Sequence, residues 1–507
     1  MNGQKKQQLS LGVLFSYMVI AAKLVSGLVY TPIILYSLGQ SEYGVYSLCL
    51  SFMGYLTVFH AGMNAAYVRF YVQAREKGDY SIEILNGIFF KIYLILGIVG
   101  AVCGIASGVF AEYIFGGRLL PSEYVILKKS LYVLGITVFF SSISGIFVSA
   151  IVANERFVAG KLAELFYTIL IPVVTVPFLA LGFGSIIILE INLVVTIFML
   201  LFYTIYAKKR LVFRIKMRKT DQAFLAAVIP FAGFIAIQGV MDQLNWQVDK
   251  YILARFQGAE EVAIYSVGSL FNNYFITITS ALSGVFITEI NRLTALGKDE
   301  ELSKLFVKTA RISAQIAFFI ISAYIIFGKP FICRWSGEEY EKSFYVGMLI
   351  MLPVTVSLSQ GLGQDIARAK NLHRAQIMIN SAVCICNFII SIPLAKYYGA
   401  VGSAFGTFLC ELVICIVVQG MYYIRNVKID MKAYYKEMLH LLPGWLLPVS
   451  YGVVISSFQL IHKNYCSIFF FGGIYVLVYG FSIWSFSLLP SEKEVIIGRV
   501  WKKCKRI

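Results

Sequence analysis

The chain has 507 residues, 59% of them hydrophobic and only 14% charged, with a formal net charge of +17. So apolar a composition cannot close around a soluble core, and it points to a bilayer. The charge does not imply nucleic-acid binding, because no basic soluble segment is long enough to carry it. An ATP motor is excluded too, since no GxxxxGK[ST] loop is present and Gly160-Lys161 runs straight into Leu162.

A spanning helix needs about 20 mostly apolar residues, and about fourteen such runs are predicted. They cover 11–38, 43–68, 84–110, 130–152, 157–181, 185–207, 224–247, 262–290, 305–327, 344–364, 375–395, 401–424, 439–462 and 465–489. Strand-type alternation is absent, so the expected class is all-α and a barrel is not.

The first run follows Lys5 and Lys6, is too long for a signal-peptide core and lacks a small-residue cleavage site. It reads as a retained helix. Near its middle sits Lys23, and an ammonium at bilayer depth costs a few kcal/mol, so it normally faces a polar cavity. Three readings stay open for it: a cavity-facing binding group, a structural ion pair with Asp242 or another acid, or a span boundary that lies elsewhere. Gly27 and Pro32 allow this helix to bend.

Arg69 closes the second run, where an entrance or gate role competes with an ordinary helix-end cation. Lys91, in the third run, lies close enough to a helix end to snorkel. Glu164 and Glu190, like Glu411 later, are embedded near boundaries and read as paired structural acids. The seventh run is polar along its outer half, with Gln238, Asp242, Gln243, Asn245, Gln247, Asp249 and Lys250, and continues as helix to about Arg255. Such a face is expected to line water. Arg311, in the ninth run, is again within snorkelling reach of an end. Pro172, Pro177, Pro353 and Pro393 are expected to bend their helices.

Nine cysteines lie mostly in apolar runs, Cys384 and Cys386 are too closely spaced for zinc, and the chain has 4 His. No metal or cofactor is expected. With the N-terminus inside, the cytoplasmic connections carry 31 Lys and Arg against 10 on the other side. That bias places both termini in the cytoplasm with an even number of spans.

An internal repeat is legible. Gly39, Glu42, Tyr46 and Ser47 recur as Gly258, Glu261, Tyr265 and Ser266, a shift of 219 residues, and Arg156 and Gly184-Ser185 recur as Arg374 and Gly402-Ser403 at 218. The shift equals six spans, which is a parallel repeat. It maps Lys23 onto Asp242 and brings Lys91 within one residue of Arg311. The expected organisation is an amino-terminal six-helix lobe over 1–222, a second over 223–436, two further helices over 437–490 and a basic cytoplasmic tail over 491–507.

Ser37-Leu-Gly-Gln-Ser-Glu-Tyr-Gly-Val-Tyr-Ser-Leu48, Ala61-Gly-Met-Asn-Ala-Ala-Tyr-Val-Arg-Phe70, Val248-Asp-Lys-Tyr-Ile-Leu-Ala-Arg-Phe-Gln-Gly258 and Tyr398-Gly-Ala-Val-Gly-Ser-Ala404 resemble the oligosaccharide flippases. These are polysaccharide transporters of the multidrug/oligosaccharidyl-lipid/polysaccharide (MOP) exporter superfamily, and the resemblance runs from about residue 10 to 490. It implies two six-helix lobes around a cation-lined cavity. It also implies alternating-access transfer of an undecaprenyl-pyrophosphate-linked oligosaccharide across the bacterial cytoplasmic membrane, for capsule, exopolysaccharide or O-antigen assembly.

In that family, basic residues in the amino-terminal lobe contact the anionic head, and Lys23 and Lys91 match that role. Arg69, Arg255, Arg311, Asn64 and Asn245 complete the expected substrate contacts, with Asp242 and Asp249 as ion-coupling or gating acids. The expected partners are the lipid-linked oligosaccharide, membrane lipids, and glycosyltransferases and a polymerase of the same pathway. The rival reading is a cation-coupled drug or metabolite exporter of the same superfamily, built on the embedded acids. A membrane enzyme acting on prenyl-linked sugars is disfavoured by the short connections and the lack of an Asp-x-Asp pair.

Overall fold

The structure, a computed structural model, describes residues 3–77, 81–217, 222–280, 286–370, 372–461, 463–490 and 493. The described residues are helical with no strand, and 11 helices among them are long and apolar enough to cross a membrane. Two of these, Leu11–Glu76 and Ala375–Val427, each carry two of the expected runs. The expected run 262–290 falls on two shorter helices and on residues outside those described, as does the expected tail apart from Lys493.

The chain divides into two compact units, Met1–Ala263 and Ile264–Ile507. In the first, α1 (Gly3–Lys77) folds back at Gly39, whose φ of 70° lies in the left-handed region open to glycine. Then follow α2 (Ile82–Val109), α3 (Ala111–Phe115), α4 (Pro121–Ala153), α5 (Phe157–Ala180), α6 (Ser185–Arg210) and α7 (Gln222–Phe256). Pro121 opens α4 at a position where its missing N–H costs nothing, and the Glu123 carboxylate accepts from Leu120 N at 2.8 Å.

The core of this unit is aromatic and aliphatic, with Tyr67, Phe89, Tyr93 and Phe147 buried among Ile146 and Ala150. Small residues bring helices together as expected in lipid, where close backbone packing substitutes for the hydrophobic effect. A Cβ on Gly62 of α1 would lie 2.4 Å from Ala232 O of α7, and one on Gly239 of α7 2.6 Å from Val58. Packing therefore joins α7 to the first unit, whereas the repeat counts it as the opening helix of the second half.

α8 (Ala259–Ser280) starts at the end of the first unit. The second unit continues through α9 (Ile287–Ala295), α10 (Asp299–Ser336), α11 (Lys342–Ser359), α12 (Gly361–Ala369) and α13 (His373–Val413), which folds at Gly399 with φ 61°. Two π-helical stretches flank α14 (Gln419–Tyr422) and precede α15 (Met431–Ser457) and α16 (Tyr465–Ser482), which ends in a π turn over Ile483–Ser487. The last two helices are bound to α10: Tyr479 Oη donates to Gln315 O at 2.6 Å, and Ser322 and Tyr475 share a 2.6 Å hydroxyl contact. Phe318 stacks on Trp445 at 4.2 Å.

The prolines expected to bend helices lie inside helical stretches, and the non-helical backbone within helices falls on Gly39 and Gly399. Those glycines repeat. Positive φ occurs at Gly39 and Gly258 (70° and 105°), Gly117 and Gly337 (139° and 108°), and Gly182 and Gly399 (85° and 61°). The separations are 219, 220 and 217 residues, so the turns recur with the shift of the sequence matches.

Candidate functional site

Lys23 projects from the first arm of α1 toward α5, where its Nζ lies 2.7 Å from Glu164 Oε1. The other carboxylate oxygen, Oε2, takes Lys161 Nζ at 2.8 Å. Two ammonium groups on one carboxylate leave a net positive charge. Within this unit the Lys23 side chain is 56% exposed and Glu164 34%. Three charges on the open side of apolar helices cannot rest against acyl chains without a penalty of several kcal/mol, so this face is polar in the membrane. The acid that Lys23 meets is Glu164, not Asp242, because helix contacts depend on packing and α5 is the helix beside that arm of α1.

The second arm of α1 carries Asn64 and Arg69. The Asn64 carbonyl accepts from Tyr93 Oη and from Ser149 Oγ, the latter at 2.9 Å, and so joins α1 to α2 and α4. Arg69 is exposed, with its guanidinium 4.5 Å from the Phe231 ring centroid, a cation–π contact onto α7. Lys91, on α2, is half-buried.

Helix α7 departs from the expectation that its whole polar stretch lines water. Gln247 accepts from Ser51 Oγ at 2.9 Å, Lys250 Nζ donates to Ser47 Oγ at 3.2 Å, and Tyr55 Oη donates to Gln243 O at 3.3 Å. This side is used up by the second arm of α1. Asp249 is fully buried, Asn245 half-buried, and Asp242 exposed. The small Gly54, whose added Cβ would meet Gln243 at 2.7 Å, makes room for the contact. Arg255, in the last turn, is exposed.

In the second unit Arg311 is 97% enclosed, leaving 3% of its surface exposed. It donates to the Glu437 carboxylate and, at 2.9 Å, to Ser487 O, joining α10 to α15 and to the π turn after α16. A polar cluster that the sequence reading missed joins the two arms of α13: Asn387 Oδ1 accepts from Ser391 Oγ at 2.8 Å and from Thr407 Oγ1 at 3.3 Å. The i, i+4 spacing of Asn387 and Ser391, and of Ser403 and Thr407, was the available signal. Lys161 was missed as well, although its position three residues before Glu164 places both on one helix face.

A family profile described as polysaccharide biosynthesis protein matches residues 11–287. Over 175 residues the chain is 27% identical to a putative O-antigen transporter of Shigella dysenteriae, taking in 34% of this chain and 41% of that relative. The match thus spans less than half the relative's length. Among solved structures, the lipid II flippase MurJ in its inward closed conformation aligns with a TM-score of 0.74 at 17% identity, over 93% of this chain and 98% of that one. An inward-facing multidrug resistance MATE family transporter of the MOP superfamily gives 0.65 at 13% identity, over 81% and 99%. Likeness at these identities is likeness of fold.

Proposed function

Because the chain belongs to the polysaccharide biosynthesis protein family and has a MOP-superfamily fold, we propose that it flips a lipid-linked oligosaccharide across the bacterial cytoplasmic membrane. The carrier is an undecaprenyl pyrophosphate, and the cycle is alternating access between the two repeated halves. The observation that carries this reading is the exposed, net-positive group of Lys23, Lys161 and Glu164 on otherwise apolar helices. A diphosphate brings more negative charge than one carboxylate, so it can take both ammonium groups from Glu164 and let go of them when the group is rehydrated.

Exposed Arg69 and Arg255 serve the approach and the gate. Asp242 and Asp249 are the candidate coupling acids, and Lys91 and Asn245 flank the path. Asn64 and Arg311 hold helices together and contribute indirectly. An inside-negative potential favours outward movement of each net negative charge by about 2.3 kcal/mol per 100 mV, so no nucleotide is needed. Both termini lie in the cytoplasm, where glycosyltransferases supply the substrate, and a polymerase consumes it outside.

The test is Lys23→Ala in cells that depend on this protein. Lipid-linked glycan accumulates on the cytoplasmic leaflet while the amount of inserted protein stays unchanged; full transport by the variant rejects the role of Lys23. A cation-coupled exporter is the second reading, favoured by the exposed Asp242 carboxylate. Efflux of a toxic dye that is lost in Asp242→Asn, with glycan transfer intact, would establish it instead.

A further inference from the structure

Beside the Arg311 clamp, α10, the start of α15 and Leu488–Leu489 after the π turn line an open cavity of about 1070 Å3. Lys304, Lys308 and Arg311 stand at i, i+4 and i+7 on α10, one face of the helix, and Lys428 enters from the turn before α15. Val307 and Ile312 flank them on the same helix, and Leu488 and Leu489 add further apolar lining.

The four acids that line the same space are unequally available. Asp299 is held by Lys370 at 2.6 Å, Glu437 by Arg311, and Asp430 caps α15 by accepting from Ala433 N at 3.0 Å. Glu300 sits in the first turn of α10, where the helix dipole favours a carboxylate. Among the described residues no ion pair engages Lys304, Lys308 or Lys428, and all three are exposed. Among the described residues, the cavity therefore offers three ammonium groups outside any ion pair beside an apolar lining.

We propose that this cavity holds the phosphate of an anionic membrane phospholipid, with Lys304, Lys308 and Lys428 on the headgroup and the acyl chains over Leu488 and Leu489. Three observations favour that occupant. A cavity of about 1070 Å3 is at the upper end of small-molecule sites and far exceeds an inorganic ion. Its apolar wall would be idle beneath free phosphate. The chain's own segment 490–507 carries six Lys and Arg against two Glu, the wrong sign for a lysine-lined site. The site is separate from the Lys23 group and stands whether or not the chain is a flippase.

The test uses full-length protein in micelles, equilibrated with phosphatidylglycerol or phosphatidylcholine of identical acyl chains, with retained lipid counted by native mass spectrometry. The wild type retains phosphatidylglycerol preferentially. Lys304→Gln, Lys308→Gln and Lys428→Gln each weaken that preference about fivefold, as expected for about 1 kcal/mol per lysine near an anionic headgroup. The three together bring it to the phosphatidylcholine level. Because each lysine is exposed and makes no ion pair among the described residues, the single variants keep the wild-type unfolding temperature in phosphatidylcholine. Unchanged phosphatidylglycerol retention in the triple variant, or in all three singles should the triple not fold, overturns the proposal. Complete displacement by equimolar inorganic phosphate, or equal retention of dihexanoyl and long-chain phosphatidylglycerol, overturns the lipid as occupant.

Discussion

Both units put a cation and a carboxylate together within apolar helices, and the two arrangements could hardly be used more differently. Lys23 and Lys161 share Glu164 on an open face, with more than half of the Lys23 side chain accessible. Arg311 is 3% exposed and is bound to Glu437 and to Ser487 O. In the second case the two guanidinium bonds go to different elements, α15 and the π turn after α16, and the group is shut away from solvent. In the first, two charges meet one, and the surplus faces outward. A charge within a span thus marks function only when its neighbours leave it unneutralised and accessible; a charge that is buried and matched is a clamp.

The largest effect on stability is expected at the clamp. Arg311→Leu leaves Glu437 without its cation and Ser487 O without its donor, a loss of about 3 kcal/mol, at the low end for a broken buried pair because Glu437 is partly exposed. Thermal unfolding in micelles measures it, and the loss persists in high salt because a buried pair is poorly screened. A neutral result at Arg311 would erase the distinction between the two regions. Next is the α1–α7 seam, where Gly62→Leu forces a side chain against Ala232 O, at a cost of about 1–3 kcal/mol in overpacking. Asn64→Ala follows, leaving Tyr93 and Ser149 hydroxyls without their acceptor, for about 1–2 kcal/mol.

The two regions also differ in how far the sequence reveals them. The spans were legible because hydropathy is a local property, and the repeat because Gly39 and Gly258 need the same positive-φ turn. Lys23 was legible as an anomaly for the same local reason. Its partner was not: Glu164 is 141 residues away, and which acid a lysine meets depends on the rotation and neighbours of two helices, which no periodicity encodes. Arg311 and Glu437, 126 residues apart, were hidden for the same reason. The seventh run misled in a different way, since its polar residues signalled that lipid was excluded without saying whether water or the serines of α1 took its place.

The smallest stability effect, and the finest probe of the open region, belongs to Glu164→Gln. Exposed ion pairs contribute at most about 1 kcal/mol, so the unfolding temperature moves little, and what it loses declines further with salt. Binding should respond more clearly. On the proposed function, an incoming diphosphate takes Lys23 and Lys161 from a carboxylate already 2.7 and 2.8 Å away in the wild type. With the neutral amide that competition weakens, so the dissociation constant for a prenyl diphosphate should fall about fivefold, the equivalent of about 1 kcal/mol. Release should slow in proportion, because an anion held more tightly dissociates more slowly when association is unchanged. Titration of the detergent-solubilised protein with a fluorescent prenyl diphosphate reads both. If affinity is unchanged, Glu164 does not compete for the lysines, and the open triad is as structural as the Arg311 clamp.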